Sequence, residues 1–438
     1  MIKLNKVIII SPDIIDHKMA GPGIRYWNIA NELSNYHSVV LFTPNNCGLT
    51  SSFTIKTINK KSIISECQDA SCIILQGTSL WINSYIKKLN IPIVVDLYDP
   101  FLLENLELNY YDPNASQLHK SSLTVLLDQL LWGDFFICAS EKQKDYWLGM
   151  LTAINRLNPY EYAIDKTLKH LITVVPFGLP ASTPTSSTAV LKGVYPGINY
   201  RDKIILWGGG IWNWLDPLTA INSINILTKE RNDIKLFFMG IKHPNPDINH
   251  MQMVDDAINL SYSLGLTEKN VYFNEWVNYE DRHNYLLDSD VGLSLHFNHM
   301  ETRFSFRTRL LDYFWCRLPV ITTSGDVMSD IVKKYGLGRV VPAEDPVELS
   351  KAIKSLLNEK HKFNFDDAIE NLTWEKAVAP LLTYCESPYL SRGKAYRLNI
   401  EGLNTNKLYY YLIKSIALIK KGESKFLFQK IKNKLLKL

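Results

Sequence analysis

The chain has 438 residues, of which 46% are hydrophobic and 21% are charged. This composition is that of a globular protein and excludes a disordered or fibrous chain. The length suits two domains of roughly 150–200 residues and a further segment, and no apolar run approaches the ~20 residues that span a bilayer. We therefore expect a cytoplasmic protein. Its six cysteines lack a C-x-x-C spacing, which indicates reduced thiols.

Positive charge is concentrated at the end of the chain. Residues 391–438 contain twelve Lys or Arg and two Glu, a local charge of +10 within a formal net charge of +4. The preceding residues therefore carry +4 minus +10, a net charge of −6. An anionic partner surface is expected to meet the tail rather than the body.

Six short apolar runs in the first 180 residues have the composition of buried parallel strands. They cover residues 7–10, 39–42, 72–75, 91–97, 135–140 and 171–177. Apolar residues at helical spacing appear between them at 23–33 and 121–132. This alternation of strands and helices predicts a doubly wound α/β domain.

A segment rich in Ser, Thr, Pro and Gly at 181–202 interrupts the pattern and is typical of an interdomain linker. Strands are then predicted at 203–209, 234–240, 270–276, 291–297, 319–323 and 338–342. Helices are predicted near 217–230, 251–264, 279–288, 305–316, 327–335 and 346–358. The fold class is thus α/β, with two Rossmann-like doubly wound domains. Ligands are expected in the cleft that the carboxyl ends of their strands face.

A run of three glycines ends the first strand of the second domain. Gly209 and Gly210 let the backbone approach a ligand, and Trp212 offers an aromatic face to a sugar or a base. The segment does not fit G-x-G-x-x-G, so no nicotinamide cofactor is indicated. A simple tight turn is the alternative.

Two loops of the first domain have comparable features. A helix that begins near Gly21 and Gly23 would present backbone amides to an anionic group, with Arg25 beside them. Tyr98 and Asp99 follow the strand at 91–97, where a carboxylate can orient a sugar hydroxyl or act as a base. A Gly-Pro turn with a surface arginine and a turn-forming aspartate are the alternatives.

The stretch ETRFSFRTRLLDYFW places three arginines ahead of an apolar helix. We expect this helix to begin at Ser305, whose following amides, with Arg307 and Arg309, form a socket for a diphosphate. Asp312 is expected two turns along on the same face, where it suits ribose hydroxyls. A surface helix whose arginines pair with Glu301 and Asp312 is the alternative.

No metal site is expected. His296 and His299 lack a nearby carboxylate at ligand spacing, and ordinary loop histidines explain them better. Asp288 and Asp290 close a helix and enter a strand, so a turn and capping role explains this pair.

Six segments in this order resemble a GT-B glycosyltransferase, most like glycosyltransferase family 4, the retaining enzymes that use nucleotide sugars. They are AGPGIRYWNIANEL (20–33), GDFFICASEKQKDYW (133–147), TVVPFGLP (173–180), WGGGIWNWLDPLTAI (207–221), VYFNEWVNYEDRHNYLLDSDVGLSLH (271–296) and RTRLLDYFWCRLPVITTSGD (307–326). The resemblance covers residues 1–390. It implies an acceptor domain at 1–182, a linker at 183–202, a nucleotide-sugar-binding domain at 203–373 and a crossover helix at 374–390 that returns to the first domain.

Together, the residue patterns and the resemblance assign the site. The catalytic residues are Asp99, Glu301 and Arg307. The donor is bound by Gly209, Gly210, Trp212, Trp276, Phe304, Ser305, Phe306, Arg307, Arg309 and Asp312. The acceptor is bound by Gly21, Gly23, Arg25 and Tyr98. Neither a metal nor another cofactor is expected.

The chain departs from the family at several points, of which two concern the binding of the donor. The family's ribose-binding carboxylate falls on Asp312, but its partner eight residues earlier falls on Phe304, so Glu301 is expected to substitute. The Arg and Lys that the family places after the Gly turn are absent from GIWNWLDPL. The arginines at 307 and 309 are expected to supply that charge instead.

Residues 391–438 are predicted to form a basic amphipathic tail. Phe428, Ile431 and Leu435 share a helical face flanked by lysines, which fits a helix lying on the anionic inner face of the plasma membrane. A helix packed on the body is the alternative. Nucleic acid is not an expected partner, because no binding motif accompanies the basic residues.

The sequence thus predicts a glycosyltransferase that moves a sugar from a nucleotide sugar to a saccharide or lipid-linked saccharide. The resemblance implies retention and a role in bacterial surface polysaccharide synthesis, such as that of O-antigen or capsule. Two alternatives stay open. One is a nucleotide-sugar epimerase of the same architecture, and the other is a non-catalytic scaffold subunit of a polysaccharide assembly complex.

Overall fold

The computed structural model describes residues 5–76, 78–110, 112–358 and 363–399. They form two parallel sheets, one in each half of the chain, with helices packed on both faces. Continuous apolar runs such as KVIII and CIILQ form the central strands, because a strand covered on both faces needs apolar side chains on both. The prediction of two Rossmann-like α/β domains is confirmed.

The first sheet has seven parallel strands in the order β3-β2-β1-β4-β5-β6-β7. The strands are β1 (Lys6–Ile10), β2 (Ser38–Thr43), β3 (Thr54–Thr57), β4 (Cys72–Gln76), β5 (Ile93–Asp96), β6 (Phe135–Cys138) and β7 (Ile172–Val174). The helices are α1 (Gly21–Ser34), α2 (Lys60–Glu66), α3 (Ser79–Ile82), α4 (Phe101–Leu108), α5 (Ala115–Trp132), α6 (Glu141–Ala153) and α7 (Pro159–Ile164), with a 3-10 helix at Ser84–Lys88. Strand β3 was not predicted, because TIKT is a short, half-exposed edge strand without an apolar run.

The second sheet has six parallel strands in the order β10-β9-β8-β11-β12-β13. The strands are β8 (Lys203–Trp207), β9 (Ile234–Phe238), β10 (Val271–Phe273), β11 (Val291–Ser294), β12 (Val320–Thr323) and β13 (Gly338–Val341). The helices are α8 (Pro217–Leu227), α9 (Gln252–Ser263), α10 (Arg282–Leu287), α11 (Met300–Phe304), α12 (Arg309–Trp315), α13 (Val327–Tyr335) and α14 (Pro346–Asn358).

Strand order reverses direction between β1 and β4 in the first sheet and between β8 and β11 in the second. At these points Ile8 pairs with Ile73, and Leu206 pairs with Gly292. Loops that leave the strands here diverge to opposite faces of the sheet and open a crevice at its carboxyl edge. The functional site is therefore sought at the two carboxyl edges.

The last helices, α15 (Asp366–Asn371) and α16 (Trp374–Glu386), carry the chain back to the first sheet. The backbone N–H of Leu179 donates to Leu372 O at 2.8 Å, and that of Trp374 donates to Leu179 O at 3.1 Å. Farther along α16, the Tyr384 ring stacks on Phe135 at 4.2 Å between centroids. Among the described residues, no helix is long and apolar enough to cross a membrane.

A final 3-10 helix, Arg392–Tyr396, is held against the first domain by charged groups. Asp134 accepts the backbone N–H of Ser391 at 2.9 Å and pairs with Lys394 at 2.5 Å. Of the predicted basic tail, only this beginning is described. The predicted amphipathic helix near the end of the tail lies outside the described residues.

Candidate active site

A cavity of about 610 Å³ lies between the carboxyl edges of the two sheets. The loops after β1 and β5 line it from the first domain, and the loops after β8, β9, β10 and β11 line it from the second. A cavity of this size in a cleft between two domains is a typical small-molecule site.

Three arginines line the second-domain wall, and two of them are matched by carboxylates. Arg307 is buried and donates to both carboxylate oxygens of Glu301, with 2.9 Å between Nη1 and Oε1. Arg282 donates from Nε to Asp312 Oδ1 at 3.0 Å, and its guanidinium lies 3.8 Å from the centroid of the Tyr279 ring.

Arg309 is the third arginine, and within the described part of the chain it has no carboxylate partner. Its Nη2 donates to the carbonyl oxygen of Gly210 at 3.0 Å, while its Nη1 is buried without an acceptor. Burial lowers the pKa of the guanidinium to about 10. The group is therefore still charged at neutral pH, so this wall has one unmatched positive charge beside the Gly turn.

The Gly turn is fixed in place by α12. The Tyr313 hydroxyl accepts the N–H of Gly208 at 2.7 Å and donates to Leu293 O at 2.8 Å. Gly209 has a φ of +83°, a conformation that favours glycine. The turn that carries Gly210 and the helix that carries Arg309 are thus one rigid unit.

Aromatic side chains stand beside this turn. A Cβ on Gly210 would lie 3.3 Å from the Trp276 ring, so the turn passes close to that indole. Trp212 and Trp276 both line the cavity, and each has a ring contact with His243, at 5.4 Å and 5.6 Å between centroids. These faces suit a planar base or the apolar face of a sugar.

The helix predicted at 305–316 begins only at Arg309, and a separate short helix, α11, ends just before Ser305, which corrects the role given to Ser305. Ser305 is the residue that ends α11, and its hydroxyl donates to Thr302 O at 2.9 Å instead of capping a helix. Helix α12 begins at Arg309. Ser305 and Asp312 are therefore not on the same face of one helix, although Asp312 does line the cavity.

Two further residues that were predicted to hold the donor, Phe304 and Glu301, do not line the cavity. Phe304 packs against Tyr146, 4.9 Å between ring centroids, and its carbonyl accepts from Gln143 at 2.8 Å, so it lies away from the cavity. Glu301 is only 1% exposed, and both of its oxygens are taken by Arg307. It therefore does not take the place of the family's first carboxylate but matches the charge of Arg307. The surface-pairing alternative is also wrong, because this pair is buried.

The other predicted donor-site residues share the cavity wall. These are Gly209, Gly210, Trp212, Trp276, Phe306, Arg307, Arg309 and Asp312. They come from three separate segments, after β8, β10 and β11, which the carboxyl edge of the second sheet brings together. Arg282 and Tyr279, which sequence reasoning missed, lie among them. Nothing in NYEDRHNYLL marks this arginine as different from a surface charge.

The first-domain wall is formed by Gly21, Tyr98 and Asp99, with Glu104 of α4. The carboxyl groups of Asp99 and Glu104 are close enough that each shifts the pKa of the other. Burial, together with the charges of Glu301 and Asp96, raises the pKa of Asp99 to about 6, against the effect of Glu104.

Two predicted acceptor residues do not reach the cavity. Arg25 is fully buried and donates to both oxygens of Asp96, at 2.6 Å from Nε and 3.0 Å from Nη2. Its remaining donors meet the carbonyls of Val175 and Pro176. Gly23 is buried against the Ile14 carbonyl, which a Cβ would approach to 2.4 Å. Both residues fix the loop after β1 and do not contact a ligand.

Comparison with known proteins agrees with this geometry. Residues 202–359 match the family described as glycosyl transferases group 1. No curated protein matched the chain in sequence.

Three solved structures illustrate the similarity of fold. Sucrose-phosphate synthase from Thermosynechococcus elongatus has 14% identity and a TM-score of 0.57, over 94% of this chain and 99% of that one. WaaG, a glycosyltransferase involved in lipopolysaccharide biosynthesis, has 13% identity and a TM-score of 0.56, over 89% and 98%. Anabaena HepE in complex with UDP and glucose has 11% identity and a TM-score of 0.56, over 94% and 100%.

The two facing Rossmann-like domains and the solved neighbours show that the chain has a fold of the GT-B type. More narrowly, its second domain is similar to the group 1 glycosyl transferases, and the three cavity arginines Arg282, Arg307 and Arg309 lie within the matched residues.

The buried pair of Arg25 and Asp96 gives a test of the corrected role of Arg25. Replacing Arg25 by Met leaves the buried Asp96 carboxylate without its cationic partner, so we expect the free energy of unfolding in urea to fall by about 3–5 kcal/mol. Adding Asp96→Asn removes the stranded charge and is expected to restore part of the loss. A double variant no more stable than Arg25→Met would contradict this role.

Proposed function

We propose that the chain transfers a sugar, with retention, from a nucleotide sugar to a saccharide or lipid-linked saccharide acceptor. We further propose that the product is a bacterial surface polysaccharide such as O-antigen or capsule. The observation that carries the donor proposal is Arg309, a half-buried cation with no carboxylate partner among the described residues, at the Gly turn of a cavity lined by Trp212 and Trp276. A nucleoside diphosphate supplies both the missing anion and a planar base.

The position of Arg309 supports the idea that it replaces the absent basic residues of the Gly turn. The turn itself, GIWNWLDPL, has no Lys or Arg. Arg309 comes from the crossover after β11, the strand beside β8 in the sheet, and reaches the turn by its bond to Gly210 O. A guanidinium presents paired donors in a plane that matches two phosphate oxygens, so one arginine can bind a diphosphate.

Asp312 is proposed to bind the ribose of the donor. It lines the cavity, and 32% of its side chain is exposed. The pair with Arg282 engages Oδ1 and fixes the carboxylate, and its other oxygen remains available to a hydroxyl. A fixed carboxylate binds a diol more tightly than a mobile one, because less side-chain freedom is lost.

The solved neighbours support the substrate class without assigning it. HepE from Anabaena was solved with UDP and with UDP-glucose, and WaaG is described as acting in lipopolysaccharide biosynthesis. The reaction we propose breaks the bond between the anomeric carbon and the diphosphate, and negative charge develops on the departing phosphate. Donors that are already oriented toward that charge lower the barrier. We propose that arginines, rather than a metal ion, fill this role.

Arginine substitutions test the donor proposal. A hydrogen bond to a charged group contributes about 1.5–3 kcal/mol, so Arg309→Ala is expected to weaken binding of the consumed nucleotide sugar roughly 10- to 100-fold. The measurement is calorimetric titration with UDP-, GDP- and dTDP-sugars, together with an assay of nucleotide release. Arg317→Ala is the matched control, because Arg317 is an exposed arginine that pairs with Asp366 outside the cavity.

The same assays separate the alternatives. Consumption of a nucleotide sugar without an acceptor, and with a changed sugar instead of a released nucleotide, would indicate an epimerase. Binding of no nucleotide sugar at all would indicate a scaffold subunit. Equal binding by the Arg309→Ala and Arg317→Ala variants would contradict the proposed position of the diphosphate.

We also propose that residues 405–438 bring the first domain to an anionic membrane surface. The support in the described part comes from the final 3-10 helix, Arg392–Tyr396, and the residues just after it. Tyr396 and Leu398 are 47% and 49% exposed, and the Tyr396 ring stacks on Tyr160 of α7 at 4.0 Å. Aromatic side chains that are half exposed beside basic residues are typical of a membrane interface.

Lysine substitutions in the tail test this contact. Each lysine near an anionic surface contributes about 1 kcal/mol, so changing Lys430, Lys434 and Lys437 to Gln should weaken binding to anionic vesicles about 100-fold in a sedimentation assay. A control with the same loss of charge replaces three exposed lysines of the body, Lys61, Lys229 and Lys333. Equal loss in both triple variants would show a non-specific charge effect and contradict the proposal.

A further inference from the structure

One tyrosine of the second domain is held by the first domain. Tyr279 lies in the loop after β10 and lines the cavity. Its backbone N–H donates to His17 O at 2.8 Å, and its hydroxyl accepts a hydrogen bond from Asn28 Nδ2 at 3.3 Å. His17 is in the loop after β1 and Asn28 is on α1. Two separate parts of the first domain therefore fix the backbone of Tyr279 and the tip of its side chain.

The loop after β1 contacts the second domain at another point and is itself braced. Asp13 Oδ1 accepts a hydrogen bond from Asn245 Nδ2, in the loop after β9, at 2.5 Å. Within the first domain, Asn45 accepts the N–H of Ile15 at 3.1 Å and donates to the carbonyl of the same residue at 3.0 Å. Tyr279 is thus bonded to a fixed part of the first domain.

Tyr279 in turn fixes Arg282, three residues later in the chain. Its carbonyl oxygen accepts a hydrogen bond from Arg282 Nη1 at 2.7 Å, and its ring centroid lies 3.8 Å from the guanidinium. The Trp315 ring contacts the same guanidinium at 4.8 Å. Stacking on aromatic rings and a bond to a fixed carbonyl restrict the rotamers of an arginine. The direction of Arg282 therefore depends on Tyr279.

Arg282 ends on Asp312, the residue proposed to bind the ribose of the donor. Its Nε donates to Asp312 Oδ1 at 3.0 Å. Arg282 is buried, whereas the Asp312 side chain is 32% exposed and has space to change rotamer once the arginine is displaced. Tyr279, Arg282 and Asp312 thus connect the first domain to the proposed ribose site. We call these three residues the relay.

We propose that Tyr279 is a positioning residue, which makes the affinity of Asp312 for ribose depend on the contact between the two domains. This proposal rests on the proposed function. The donor meets an oriented ribose carboxylate where the acceptor domain holds Tyr279. Because coupling between two equilibria is reciprocal, a bound ribose in turn stabilises the contact between the domains.

Discrimination between ribose and dideoxyribose tests the relay. UDP and GDP are each titrated calorimetrically into the full chain beside their 2′,3′-dideoxy forms, and the nucleotide that binds more tightly is used for the variants. A hydrogen bond to a charged group changes affinity about 10- to 100-fold, so the dideoxy form is expected to bind the wild type more weakly by that factor. The ratio of the two dissociation constants is the readout, because a general loss of affinity or stability leaves it unchanged.

Substitutions along the relay are expected to lower this ratio. Asp312→Ala removes the carboxylate and is expected to bring the ratio to about 1. Tyr279→Ala keeps the carboxylate but leaves it to be ordered by the ligand, so a decrease of about 3- to 10-fold is expected. Tyr262→Ala is the matched control and should leave the ratio unchanged, because Tyr262 is a tyrosine of α9 that is 79% exposed and outside the cavity lining.

Two milder variants isolate the contribution of the first domain. Tyr279→Phe and Asn28→Ala remove the same interdomain hydrogen bond from its two sides. Each is expected to lower the ratio about 2- to 5-fold, and the double variant is expected to lower it no further than either one.

Two results would overturn the proposal while the proposed function stands. One is a Tyr279→Ala variant that binds both forms more weakly by the same factor, since the residue would then act through packing alone. The other is a ratio that neither Asn28→Ala nor Tyr279→Phe changes, which would remove the first domain from the relay. A wild type that binds a nucleotide with a ratio of about 1 would instead overturn the ribose role of Asp312, and this proposal with it. A wild type that binds no nucleotide would overturn the proposed function itself.

Discussion

The site depends on one unmatched charge. Arg309 lies where the first turn of α12 meets the Gly turn, donates to Gly210 O, and has no carboxylate partner in the described part of the chain. The other two arginines of the same wall, Arg282 and Arg307, are neutralised by Asp312 and Glu301. A cation withdrawn from water is stabilised by an anion. The proposed position of the donor diphosphate rests on this unmatched charge.

The fold places this charge opposite a carboxyl group. Loops that leave parallel strands meet at one edge of a sheet, and the two sheets face each other at those edges, so arginines of one domain oppose Asp99 of the other. Gln143 connects the walls, because its side-chain amide donates to Tyr98 O at 2.7 Å and to Phe304 O at 2.8 Å. The proposed donor and acceptor sites are therefore on facing walls of one cavity.

The strands could be predicted from the sequence, but the partners of charged side chains could not. Buried parallel strands are continuous apolar runs that are visible locally, so only one strand, the half-exposed edge strand β3, was missed, whereas short helices of the first domain such as α2 and α7 were not predicted. A local pattern could not show that Arg25 meets Asp96, 71 residues away, or that Glu301 is buried against Arg307. The apolar run after Ser305 suggested a helix that begins at Ser305. Residues 305–308 instead form a loop between α11 and α12, and in this loop Arg307 bonds back to Glu301.

The most direct test of the account is a crystal structure of the protein with the nucleotide sugar that it consumes, or with the corresponding nucleoside diphosphate. We expect diphosphate oxygens within hydrogen-bonding distance of the Arg309 guanidinium, beside the Gly turn, and the base against Trp212 or Trp276. A diphosphate bound elsewhere in the cavity, with the Arg309 guanidinium still contacting only protein atoms, would contradict the account.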